Sequence, residues 1–248
     1  MTFRLPSLLV GAAALALTAL PARAEMAKDD VEKIVHDYIV AHPEVIEEAM
    51  NALEKKQAQE AAASQAKIIT DRGSVLFDST RQVVLGNPQG DVTLVEFFDY
   101  NCGYCKRALP DMLALIDKDP QLKIVLKEFP VLGPGSVEAA KVAVAVNRIA
   151  PGKYLEFHKR LLGQRQADKA KAIEAAVGAG VNASQLDAAL GDKEIAATLE
   201  EVYGLAQALG LSGTPSYVVG GEVVPGAIGL DKLKSRIADA RCTTTKKC

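Results

Sequence analysis

The chain has 248 residues, with 29 lysines and arginines against 31 aspartates and glutamates and a formal net charge of −2. That balance supplies no basic footprint for phosphates, so no nucleic-acid partner is expected. A hydrophobic content of 49% without a single tryptophan suits one good-sized globular domain with an appendage.

Residues 1–24 carry one early charge, Arg4, then an apolar run from Leu8 to Leu20, and end in Ala22-Arg23-Ala24. The run is short for a bilayer and the small-x-small ending fits cleavage after Ala24. A secretory signal peptide is therefore expected, with an uncleaved anchor as the alternative. Export would place the cysteines in an oxidising compartment.

Residues 25–79 read as a helical arm and linker. Val31, Ile34, Val35, Tyr38 and Ile39 fall at helical spacing, and Val45, Ile46, Ala49, Met50 and Leu53 do so again after Pro43. Asp29 or Asp30 can cap the first helix, and Pro43 suits the first turn of the second, which can run to about Arg72 before Gly73 stops it. Two such stripes have no core of their own. Because Glu54 to Lys67 is nearly free of large apolar residues and reads as a solvated spacer, self-association is expected, with packing back onto the same chain as the alternative.

Residues 80–241 alternate strand and helix patterns. Gln82–Leu85 and the nearly continuous apolar run Val92–Phe98 read as strands, Gly103–Asp117 as a helix and Leu122–Phe129 as a third strand in parallel pairing. Helical patterns then fill about 131–211, before Ser216–Val219 and Glu222–Val224 form a hairpin about Gly220-Gly221 and Leu230–Ala240 a last helix. The fold class is α/β.

The chemistry concentrates at Cys102-Gly103-Tyr104-Cys105. Cys102 is expected at the first turn of a helix, where unpaired N–H groups favour a thiolate, and Cys105 on the same face. One thiol can attack a substrate disulfide and the other can resolve the mixed disulfide. Half a zinc site is the competing reading, but no second ligand pair stands at the required spacing. A structural disulfide across so tight a loop would be a poor staple. His36, His42 and His158 lie in helical contexts without mutual metal spacing, so all three read as structural or surface residues.

With Pro110 five residues after Cys105 and Gly213-Thr214-Pro215 opening a late strand, the constellation resembles the thioredoxin superfamily. The helical insertion narrows the likeness to the DsbA family of periplasmic oxidoreductases. The run Glu96 to Lys106, the Lys127-Glu128-Phe129-Pro130 strand end and the two-helix arm are similar to the ScsC, or suppressor-of-copper-sensitivity, group. The resemblance implies a thioredoxin fold and a cis Thr214-Pro215 bond facing the dithiol for substrate docking. It further implies a trimeric disulfide isomerase for misoxidised exported proteins, recycled by a membrane thiol reductase and needing no organic cofactor. It gives Glu96 a role in proton transfer, with Lys127 as its partner, against the alternative of an ion pair that keeps the interior neutral. A dithiol oxidase, or a protein sequestering copper(I) on Cys102 and Cys105 in copper tolerance, remains open. In the polar tail 242–248, Cys242 and Cys248 are expected to pair with each other, with a second redox pair or a copper(I) thiolate site as the alternative.

Overall fold

The computed structural model describes residues 26–245, and the chain divides into two compact units between Glu54 and Lys55. The signal peptide expected over residues 1–24 and the last cysteine, Cys248, lie outside the described residues.

The first unit holds helix α1 (Lys28–Ala41) and the start of α2 (Glu44–Asp71). Asp29 and Asp30, expected as caps, instead occupy the first turn behind an Ala27 N-cap that makes no side-chain bond. There their charge still faces the positive helix end. Pro43 stands just ahead of α2. No residue of α1 is buried, and Ile34, Val35, Tyr38, Ile46, Met50 and Leu53 are all exposed in the single chain.

The second unit is built on a five-stranded sheet in the order β1-β3-β2-β4-β5. Its strands are β1 (Val83–Gly86), β2 (Val92–Phe98), β3 (Leu122–Glu128), β4 (Ser216–Val219) and β5 (Glu222–Pro225). Only β2 and β3 are parallel, in the register Phe98↔Glu128, and α4 (Gly103–Lys118) makes the crossover between them. Gly86, at φ 71 and with Leu122 O 2.5 Å from where a Cβ would stand, lets the chain leave β1 against β3. The expected insertion is present as α5 (Pro134–Ile149), a short 3-10 turn at Pro151–Lys153, α6 (Tyr154–Leu162), α7 (Lys169–Gly178), α8 (Ala183–Ala189) and α9 (Lys193–Ala208).

Strand parity divides the core between the two faces of the sheet. Leu94, Phe98, Ile124 and Leu126 join α4, α5 and α6 in the larger cluster. Val95, Phe97, Val125 and Val218 pack with Val202 and Leu205 of α9 and Leu209 just after it, and with Ile69 and Leu76. These last two residues alter the expected arm. The end of α2 and the short α3 (Gly73–Phe77) are packed on the sheet, and Gln65 Nε2 donates to Leu209 O at 2.9 Å. Gly73 opens α3 rather than ending the helical stretch. The Ile68-Ile69 and Leu76-Phe77 pairs supply the apolar surface that draws this segment onto the sheet.

The final helix, α10 (Leu230–Thr245), runs past Ala240 through Cys242. Arg241 holds it there with paired bonds to both Asp91 (2.9 Å) and Asp119 (2.9 and 3.1 Å). Cys242 is disulfide-bonded.

Leu76 is 1% exposed, so Leu76→Ala is expected to lower the stability of the second unit by about 2–5 kcal/mol. Denaturant unfolding checks this; a loss below ~1 kcal/mol would mean that the segment does not belong to that core.

Candidate active site

The redox turn begins where β2 ends. Asp99 takes the chain out of the sheet, and its buried carboxylate accepts four bonds: from Asn101 N and Ser136 Oγ at 2.7 Å each, from Val131 N at 2.8 Å and from Leu132 N at 2.9 Å. Its own carbonyl accepts from Cys102 N at 3.0 Å. An aspartate bonding its backbone two residues on forms a tight turn, and a helix can start directly after it. Asn101 fixes the other side by accepting from Ala167 N at 2.7 Å and donating to Ala167 O at 2.9 Å. Lys106 Nζ donates to the Gln164 and Arg165 carbonyls at 2.8 and 3.0 Å. Both ends of the turn are thereby tied to the insertion.

Cys102 is the N-cap of α4, and its sulfur accepts from Cys105 N at 3.4 Å. The same sulfur reaches Thr214 O at 3.0 Å as a thiol donor, and the Thr214-Pro215 bond is cis. The dithiol and the Thr214-Pro215 edge, far apart in sequence, therefore face each other. Cys102 is 5% exposed and Cys105 1%. The N-cap geometry brings the first sulfur to the Thr214 carbonyl. Gly103 and Tyr104 are exposed beside it, and Arg107 lies over the Tyr104 ring at 4.2 Å. Both cysteines are free thiols.

Cys105 belongs to the apolar face of α4 with Ala108, Met112 and Leu115. Burial pushes its thiol far up, and the neighbouring Glu96 carboxylate adds to the shift. Glu96 lies on the same sheet face, opposite Tyr217 of β4 and Leu126 of β3. Desolvation raises its carboxyl to about 8, so it is protonated at neutral pH. Lys127, expected as the partner of Glu96, is not one. It pairs in register with Phe97, and residues of opposite parity on neighbouring strands point to opposite faces. Lys127 Nζ instead donates to Val75 O at 3.1 Å, and burial lowers its ammonium to about 8, opposed by the Glu201 charge.

The sequence reading missed Asp99 and also a second buried carboxyl, Glu128, at the end of β3. Glu128 accepts from Tyr154 OH at 2.6 Å and Tyr100 OH at 3.2 Å. An Asp before an Asn-Cys helix start was the available signal for Asp99; nothing local marks Glu128. Among the described residues, no group of three or more His, Cys, Asp or Glu is placed to hold a metal, so a copper(I) site at the dithiol would have only the Cys102 and Cys105 sulfurs.

A family model described as the DSBA-like thioredoxin domain matches residues 93–238, more than half of the chain. The chain belongs to the DSBA-like thioredoxin family. A second model, the copper resistance protein ScsC N-terminal domain, matches residues 28–60. A thioredoxin-like oxidoreductase from Silicibacter pomeroyi DSS-3 is 41% identical, with 68% of this chain and 96% of that one covered at a TM-score of 0.65. A linker-deletion mutant of Proteus mirabilis ScsC is 26% identical, with 92% of this chain and 100% of that one covered at a TM-score of 0.68. Disulfide bond formation protein D of Bacillus subtilis (strain 168) is 26% identical over 167 residues, 63% of this chain and 75% of that protein. The first curated relatives are far longer. The chain spans 26% of the length of the Na(+)/H(+) antiporters NhaA 1 of Salinispora arenicola and NhaA 3 of Salinispora tropica, over 169 residues at 27% and 26% identity.

The buried Glu96 carboxyl gives a pH-dependent stability. It keeps its proton to about pH 8 in the fold, against an ordinary value of 4.5. Between those values the folded chain binds more protons than the unfolded one, so stability falls as pH rises through the window. Glu96→Gln is expected to flatten part of that fall, with the share of Glu128 left in place. Urea unfolding at pH 5, 6, 7 and 8 measures it, and an unchanged slope would show that Glu96 is ionised in the fold.

Proposed function

We propose that the protein is an exported, periplasmic thiol–disulfide oxidoreductase that reduces and isomerises wrong disulfides in exported proteins. The observation that carries this reading is the Cys102 sulfur, capping a helix and lying 3.0 Å from Thr214 O. A substrate strand laid along the Thr214-Pro215 edge would bring its disulfide to that sulfur. Attack by the Cys102 thiolate forms a mixed disulfide and expels one substrate thiolate. The expelled thiolate can then attack a second substrate disulfide, and the thiolate released from that bond attacks the substrate sulfur of the mixed disulfide, which frees the Cys102 thiolate and leaves a rearranged product. Alternatively, Cys105 attacks the Cys102 sulfur, which closes the Cys102–Cys105 disulfide and transfers two electrons to the substrate. Cys105 must lose a proton for that step, and the ionised fraction of Glu96, whose carboxyl is pushed up to about 8, is the base we assign to take it. A membrane thiol reductase would return the dithiol to its reduced form.

The arm supports an oligomeric form, which we take to be a trimer. Its exposed apolar residues cost free energy in water, and burying each contributes roughly 1.5–3 kcal/mol before ordering costs. Several active sites held around a shared space favour isomerisation, because a substrate held at one dithiol presents its remaining disulfides to another. A role in copper tolerance is proposed on the match of residues 28–60 to the ScsC N-terminal domain.

Cys102→Ser is expected to abolish reduction and isomerisation of a scrambled-disulfide substrate, whereas Cys105→Ser should accumulate mixed disulfides visible on non-reducing gels. Preferential alkylation of Cys105 over Cys102 in the native dithiol would reverse the assigned roles. A chain beginning at Lys55 is expected to be a folded monomer that oxidises dithiols but loses most isomerase activity. Light scattering with a scrambled-substrate assay decides this: a monomeric mature protein, or an oligomeric truncation with full isomerase activity, refutes the role of the arm.

A further inference from the structure

Behind the redox turn, four buried polar side chains meet that the thiol chemistry does not use. Tyr100 OH lies 3.2 Å from each of Glu128 Oε1, Tyr154 OH and His158 Nδ1. Tyr154 OH donates to the same Glu128 oxygen at 2.6 Å. Each of the four comes from a point where the catalytic framework joins the insertion: Tyr100 from the turn itself, Glu128 from the end of β3, and Tyr154 and His158 from α6. The Tyr100 ring is fixed edge-on against Phe98, at 5.1 Å between centroids, and against Phe157 at 6.0 Å.

Such a cluster is expensive to build in a core, and apolar side chains of the same volume would fill the space at less cost. It holds together only as a complete set. With both phenols donating to Glu128 Oε1, the Tyr100 oxygen is left as acceptor for His158, so the tautomer with its proton on Nδ1 closes the network. Burial lowers the His158 imidazole to about 3 and raises the Glu128 carboxyl to about 8, the latter opposed by the two phenol bonds, so both are uncharged at neutral pH. The nearest other ionisable groups are Asp99 at the mouth of the turn, Glu96 on the same sheet face, and Arg81, which lines a cavity of about 10 Å³ beside Glu128. That cavity is at the lower limit for a single water.

Tyr100 sits between Asp99, whose carbonyl takes the Cys102 N–H, and Asn101, whose side chain clamps Ala167. A shift of the Tyr100 ring must move both neighbours, and with them the Cys102 sulfur relative to Thr214 O. We infer that Glu128 is a positioning residue for the dithiol, fixing Tyr100 through its hydroxyl and thereby setting how Cys102 stands at the helix end and against the Thr214 carbonyl. This rests on the reading of Cys102 as the attacking thiol, but its test does not require isomerase activity.

The test uses the full mature chain, with near-UV circular dichroism to establish folding. It measures the alkylation rate of Cys102 by iodoacetamide at pH 7 and the equilibrium of the dithiol with glutathione. Glu128→Leu removes the shared acceptor and is expected to slow alkylation about tenfold and shift the glutathione equilibrium by a similar factor, the size of effect that follows from loss of a buried hydrogen bond. Glu128→Gln keeps the accepting oxygen in place and should restore both to within about threefold of the parent protein. Should Glu128→Leu fail to fold, Tyr100→Phe carries the test, because it keeps the ring and removes the hydroxyl. It should reproduce the slowed alkylation and the shifted equilibrium. Parental rate and equilibrium in whichever of Glu128→Leu and Tyr100→Phe folds, or a Gln variant as impaired as the Leu variant, overturns the inference. A parental isomerase rate of zero alongside the expected alkylation pattern would instead refute the proposed function and leave the positioning role standing.

Discussion

A sulfur that must be both reachable and chemically poised cannot be left on a mobile loop, and Asp99 is the residue that holds it. The carboxylate takes two backbone N–H groups from the Val131-Leu132 loop, one from Asn101 and a hydroxyl from Ser136. Satisfying four donors with one buried side chain joins the end of β2, the loop after β3 and the start of α5 at a single point. The helix that starts four residues later therefore has a fixed origin, and its cap, Cys102, inherits that position. Removing any one donor would leave the others in place, but removing the acceptor would take the partner from all four, at a cost of about 1–3 kcal/mol for the buried Ser136 hydroxyl, which water does not reach.

Three further buried ionisable groups of the same sheet are each made tolerable in a different way. Glu96, next to Cys105, sits where its charge is expensive and so holds its proton to about pH 8. Glu128 is neutralised by the same physics but is also hydrogen-bonded by two phenols. Lys127, on the opposite face, is held by a backbone carbonyl and the nearby Glu201 charge. An acid beside Cys105 and a base one parity step away could have neutralised each other had they shared a face. Their separation keeps the two from pairing, so each is made tolerable on its own face.

The dithiol, the strand that leads into it, the helical insertion and the cis Thr214-Pro215 edge were all legible in the sequence, because each carries a local pattern. Cys102-x-x-Cys105 has its spacing, Val92–Phe98 its unbroken apolar run, and the insertion its helical periodicity. What escaped depends on pairings that no local window contains. Glu96 and Lys127 looked like an ion pair because both interrupt apolar strands, and only the register Phe97↔Lys127 shows that they diverge. Likewise Tyr154 and His158 read as an unremarkable stretch of amphipathic helix until α6 is laid against β3. In the tail, Arg241 looked like the last residue before a polar end, yet its two carboxylate partners, Asp91 and Asp119, lie more than a hundred residues away and draw the helix through Cys242.

The arm shows how one helix can serve two environments. Over its first part α2 presents Ile46, Met50 and Leu53 to solvent, all about half exposed. Toward its end the same helix turns Ile69 into the core beneath Val95 and Phe97. Between them lies an alanine-, glutamate- and glutamine-rich stretch whose intrinsic helix propensity is high, so it stays helical without needing a packed face. A segment held by propensity rather than by packing gains little from any one neighbour. It can therefore run from solvent-exposed apolar residues at one end to a packed turn at the other without imposing the demands of either on its own sequence. Residues 55–64 look empty of information for that reason: their low apolar content is the condition for a connection, while the residues that decide what is connected stand at its two ends.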